Sequence, residues 1–277
     1  MQNAFIVVWR ESLEALLIIG ILYAWLSAND PKGKGKRALA AGIAVGVGLA
    51  LLLGWALMSA QSGLVGDAQE FFQIAMLCVA ALLITQVVFW MSMHGRAMKA
   101  NLENRIEAAH SQSGYYGVIV VAALAIAREG SETVIFLYSA SGTIQEVLLG
   151  AVGGFAAAIL TAWAAAKSLG RLNIGLLLKI SSILLLVLAS SLLVTASDHA
   201  INLEWLLERV DDDTLVRITD AVWDSSGLVD DGEGVGKVLA DFAGYRARPI
   251  LPNLLAWGGY WLLAASLYFF WIRRRGK

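Results

Sequence analysis

The chain has 277 residues, 58% of them hydrophobic and 16% charged, with a net charge of −1 and a mean hydropathy of +0.67. Soluble domains carry roughly 45–50% apolar and about 25% charged residues, so this excess excludes an ordinary soluble enzyme and a disordered chain, and the neutral balance excludes a binder of nucleic acid. The single cysteine, Cys78, excludes a disulfide framework, a CxxC redox pair and a thiolate metal site.

A membrane-spanning helix needs about 20 mostly apolar residues. The first such run, residues 3–26, is interrupted by Arg10-Glu11-Ser12-Leu13-Glu14. It has no basic segment ahead of it and its charges lie inside it, so it reads as a span and not as a cleaved leader. Residues 38–66 and 71–93 follow without a charge. The run 115–138 is again interrupted, by Arg128-Glu129-Gly130-Ser131-Glu132. Residues 147–166, 180–197 and 249–272 complete the series. The expectation is an all-α polytopic membrane protein with seven transmembrane helices, a single integral membrane domain over 1–277.

Charge places the loops. Fourteen of the 21 Lys and Arg residues fall in the first, third and fifth connections and at the C-terminus, and none in the second and fourth. The positive-inside rule then predicts the N-terminus outside and the C-terminus inside. The longest polar stretch, 198–248, lies outside and carries twelve acidic residues against five basic. Amphipathic patterns near residues 201–210 and 215–223 predict a folded acidic cap. Asp211-Asp212-Asp213 could gather cations or dock a basic partner, although an ordinary solvated acidic face is the more usual role of such a run.

The chain also repeats itself. Both pentads read R-E-x-x-E. Gly42, Gly46 and Trp55 in the second span match Gly150, Gly154 and Trp163 in the fifth, and His94 and His199 follow the third and sixth. Three repeated helices give an inverted 3+3 arrangement, residues 1–95 and 115–200, with the seventh helix outside it. Such plans put a transport site at the repeat interface near the midplane. The glycine pairs, four residues apart, predict close helix packing.

Within each pentad, Arg and the second Glu are four apart and the two Glu three apart, which puts them on one helical face. A charge at a helix centre costs about 2.5–3.5 kcal/mol, so six unpaired would cost on the order of 15–20 kcal/mol. They must meet one another, water or a cation. Two arginines against four glutamates leave −2, which a divalent cation neutralises. Carboxylates are hard ligands suited to Mg²⁺, Ca²⁺, Mn²⁺ and iron. On the residues alone the reading stops at a carrier or channel for a hard cation, Mn²⁺ included, with a buried ion-pair network or a proton path as the readings without metal. No catalytic constellation stands out: Ser131 has no base placed for it.

The stretches Arg10–Leu17 and Ala127–Val134 resemble the signatures of the oxidase-dependent iron permease family, and the resemblance extends over essentially the whole chain. It implies high-affinity iron import across a bacterial inner membrane, with Glu11, Glu14, Glu129 and Glu132 binding iron in transit and Arg10 and Arg128 as their ion-pair partners. Iron, as Fe²⁺ or Fe³⁺, is the transported substrate, with no bound organic cofactor. Periplasmic iron-oxidising or iron-binding proteins are the implied partners.

Further polar residues are candidates for the path. Asp67, Glu70 and Gln73 follow the second span outside, as an ion entrance or a solvated loop. His94 and His199 are gate ligands or interfacial caps. Gln86, with Thr85, Ser181, Ser182, Ser190 and Ser191, lines the path or bridges helices. The methionines read as filler and interface.

Overall fold

The computed structural model describes residues 1–30, 33–94, 98–140, 143–167, 174–203 and 210–275. Among these it has nine α-helices: α1 (Gln2–Asn29), α2 (Lys34–Ser62), α3 (Asp67–His94), α4 (Met98–Ser139), α5 (Ile144–Lys167), α6 (Ile174–Ile201), α7 (Asp212–Thr219), α8 (Gly234–Ala243) and α9 (Leu251–Arg275). The count exceeds seven because the polar stretch 198–248 folds two short helices of its own. By length and composition α2, α3, α5 and α6 can cross a membrane. The helices α1 and α4 are interrupted by their pentads, and Pro252, Asn253 and paired glycines dilute the apolar character of α9. On α2 and α5 the outward face is apolar, with Leu51, Leu52, Trp55, Leu149, Val152 and Trp163 exposed, which suits lipid and not water.

Two compact units make up the chain. The first joins Asn3–Ala60 to Met91–Ser181, and the second joins Gln61–Trp90 to Ser182–Lys277.

In the first unit the glycine pairs are where helix backbones meet. A Cβ on Gly42 would lie 2.7 Å from the Ile119 carbonyl oxygen, and one on Gly46 would lie 2.8 Å from that of Ala123, so α2 presses on α4. Gly150 presses in the same way on Met1 and Ala4, and Gly154 on Phe5 and Trp9, so α5 presses on α1. Trp9 Nε1 donates to Thr161 Oγ1 at 3.2 Å across that second seam.

The basic connection ahead of the second pentad, read from the sequence as a loop, is helical. It begins α4 and ends at Gly114, where φ is 60° and ψ −136°. Leu102 and Ile106, one turn apart, enter a core with Ile18, Leu22, Leu26, Leu39, Val118 and Ala122. That apolar stripe holds the segment as a packed helix. Below it, Asp30 closes the turn between α1 and α2: it accepts from Gly35 N–H and, at 3.3 Å, from the Tyr115 hydroxyl.

In the second unit, Leu77, Ala80, Ala81 and Ile84 of α3 and Leu185, Leu188, Ala189 and Leu192 of α6 are buried. Polar ties fix α9 to both long helices. Thr85 Oγ1 and the Tyr260 hydroxyl lie 3.1 Å apart, and Ser197 Oγ donates to Asn253 Oδ1 at 2.8 Å. The cap is ordered by its own bonds. Ser191 Oγ donates to the Asp241 carbonyl of α8 at 2.7 Å, and Arg246 Nη2 pairs with Asp198 at 2.7 Å. Of the two amphipathic patterns expected there, residues 204–209 lie outside the described residues. The other is helical only at 212–219, and α8 begins past both. Gly234, Gly236 and Gly244 surround α8 and mask its apolar pattern, although Gly244 is its natural stop, with φ +73°.

Candidate metal site

Both pentads sit inside long helices, so their side chains emerge from backbone already hydrogen-bonded to itself. In α1, Arg10 is 1% exposed. Its Nη1 lies 2.6 Å from Glu11 Oε1, its Nη2 lies 2.8 Å from Glu14 Oε1, and the same Nη2 donates to Met91 Sδ at 3.0 Å. The Glu14 contact is an ion pair without hydrogen-bond alignment, since that oxygen is otherwise unpartnered. In α4, Arg128 Nε donates to Glu132 Oε1 at 3.1 Å, but the arginine side chain is 43% exposed. Ser131 and Thr133 return their hydroxyls to the carbonyls of Arg128 and Glu129.

The two helices bring three carboxylates together. Glu11, Glu14 and Glu129 are buried, and one oxygen from each lies within 4.8 Å of the other two. Glu11 Oε2, Glu129 Oε2 and Glu132 Oε2 are buried and take no hydrogen bond from the protein. A buried anionic oxygen without a donor is costly, and three converging acids with one arginine carry a formal −2 when ionised. A multivalent cation relieves both costs at once. Glu132 stands apart from the trio, held by Arg128, though within electrostatic reach of Glu11 and Arg10.

The other expected residues divide. Glu70 and His199 meet in the second unit, with Glu70 Oε2 2.7 Å from His199 Nδ1. Asp67 and Glu70 are not loop residues: Gly66, at φ +61°, turns the chain, and both acids fall in the first turn of α3, where the helix dipole favours negative charge. Gln73 is half-buried and Gln86 is exposed, while Thr85 is tied to Tyr260. The His94 side chain lies outside the described residues. Ser181 and Ser190 bond back to carbonyls of their own helix, and Ser191 bridges to α8. Two residues that touch the pentad region carry no mark in the sequence: Met91, which reads as a gap-filling methionine, and Trp9, which reads as one tryptophan among ten.

The comparisons with known proteins extend this picture. The family model described as the Iron permease FTR1 family matches residues 1–273. The chain belongs to that family. It is 26% identical over 271 residues to the ferrous iron permease EfeU of Escherichia coli O6:H1, an alignment covering 96% of this chain and 94% of the relative. It is 27% identical over 273 residues to the ferrous iron permease EfeU of Yersinia pestis, covering 96% and 92%. No solved structure matches. Membership places the chain among membrane permeases and not among enzymes, and the apolar helices agree with a multi-pass membrane protein.

Proposed function

We propose that this permease imports iron across a bacterial inner membrane through the carboxylate cluster of Glu11, Glu14 and Glu129, with Glu132 as a fourth acid exchanging with Arg128. The observation that carries this is the convergence of three buried carboxylates, within 4.8 Å, from two helices of an iron permease family member. The hydration shell of an incoming cation is replaced there by carboxylate oxygens, and Arg10 holds Glu11 and Glu14 in place until the ion arrives. The relatives are named for ferrous iron, and Fe²⁺ suits a −2 site by charge.

The same reading takes α1 to α6 and α9 as seven spans with the N-terminus outside. It takes 1–95 and 115–200 as inverted repeats. The glycine contacts support the repeat, because Gly42 and Gly46 meet residues 119, 122, 123 and 126 of α4, while Gly150 and Gly154 meet residues 1, 4, 5 and 9 of α1. The 118 positions that separate the pentads relate one contact set to the other almost residue for residue. Glu70 and His199 then belong to the outer surface as an early contact for cations, and the acidic cap faces periplasmic proteins that oxidise or carry iron.

Radioiron uptake in an iron-transport-deficient bacterium tests the reading. Wild type, Glu14→Gln and Glu129→Gln are compared at equal membrane abundance, with reduced Fe²⁺ and chelated Fe³⁺ as alternative supplies. Uptake from Fe²⁺ that disappears in both variants is the expected result. Unchanged uptake in both would reduce the cluster to a structural ion-pair network.

A further inference from the structure

Carboxylates alone do not explain how a site would take iron and refuse other hard divalent cations. Carboxylate, carbonyl and water ligands suit Mg²⁺, Ca²⁺ and Mn²⁺, and Mn²⁺ stands beside Fe²⁺ in the usual affinity order, so selectivity must come from ligand type and geometry. One soft donor is present. Met91 is buried, and its sulfur lies 3.0 Å from Arg10 Nη2, the same nitrogen that lies 2.8 Å from Glu14 Oε1. A thioether is a weak acceptor, so guanidinium on sulfur is an easily broken contact. The position of Nη2 is one where the protein already holds positive charge between a carboxylate oxygen and a thioether.

We propose that Met91 is a metal ligand and the selectivity residue of this site. When the Arg10 guanidinium withdraws, the cation replaces Nη2 between Glu14 Oε1 and Met91 Sδ, and the soft sulfur favours Fe²⁺ over Mn²⁺, Mg²⁺ and the harder Fe³⁺. This assignment rests on the reading of the glutamate cluster as the iron site.

The test combines X-ray absorption at the iron edge with competition. Purified Cys78→Ser protein loaded with Fe²⁺ should show sulfur bound directly to iron, and adding Met91→Leu should remove it. Leucine keeps the volume of methionine and removes only the sulfur donor. Mn²⁺ should then compete with Fe²⁺ about tenfold more effectively, the scale of change typical when a residue supporting a metal is altered. Iron bound without sulfur in the Cys78→Ser protein overturns the Met91 assignment, needs no further variant, and leaves the carboxylate reading intact. Mn²⁺ competition unchanged by Met91→Leu also overturns it. Unchanged uptake in Glu14→Gln overturns the carboxylate reading and Met91 with it.

Discussion

Arg10 and Arg128 hold equivalent places in their pentads and have different surroundings. Arg10 is enclosed and bound to two carboxylates and a sulfur, while the side chain of Arg128, which donates to Glu132, is 43% exposed. Removing one member of a buried charge network costs about 3–5 kcal/mol, whereas a partly exposed pair is worth about 1 kcal/mol or less. Arg10→Ala should therefore lower the melting temperature in detergent far more than Arg128→Ala, and equal losses would count against the enclosed network. The acids should divide in the same way. Glu129→Gln should weaken Fe²⁺ binding by about 10–100-fold, within the range for a metal site that loses support, and Glu132→Gln by much less, as read by isothermal titration. The types of these residues were legible in the sequence, because charge inside a membrane helix is conspicuous. Which three acids converge was not, since that depends on how α1 and α4 rotate against each other.

At the scale of elements, the glycine pairs make the sharpest contrast. A Cβ on Gly46 would fall 2.8 Å from both the Ala123 carbonyl oxygen and Ile126 Cβ, while one on Gly48, two residues on, would meet nothing within 4 Å. Overpacking costs about 1–3 kcal/mol. Gly46→Ala and Gly154→Ala should each lower the melting temperature, and Gly48→Ala should leave it unchanged or raise it slightly, as alanine favours helix. The cap offers a pH test. Asp224 accepts from Ser226 Oγ and N–H and pairs with Arg248, and these partners hold its carboxyl down to about 2. A depressed pKa contributes stability that is present above the unfolded value near 4 and is lost as pH falls towards 2. Fluorescence of the neighbouring Trp223 should be flat from pH 7 to about 4 and change below it, and Asp224→Asn should abolish that change. The packed helix at 98–113 was readable in principle from Leu102 and Ile106, but the basic residues around them pointed to a loop. The helix α8, rich in glycine, carried no such pattern.

For the whole molecule, the orientation read from Lys and Arg can be tested directly. In a Cys78→Ser background, a membrane-impermeant thiol reagent should label Asp224→Cys in intact cells, and should label Lys34→Cys only after permeabilisation. The reverse pattern would invert the topology and with it the direction of transport. Hydropathy picked out four helices long and apolar enough to cross a membrane, because lipid imposes that pattern on any helix that crosses it. The pairing of helices left a fainter trace, four glycines, and its outcome has a bearing on how the chain is made. The glycine contacts seat α5 on α1 and α2 on α4. Phe5 and Gly154 are separated by about 150 residues, which a ribosome takes roughly 7–30 s to add. Through that interval α1, with Arg10, Glu11 and Glu14, is present without α5 and, until α4 is made, without Glu129. Early insertion therefore depends on the three charges of the first pentad pairing among themselves, and the local Arg10 bonds to Glu11 and Glu14 are the contacts of the finished site that a nascent α1 can form unaided.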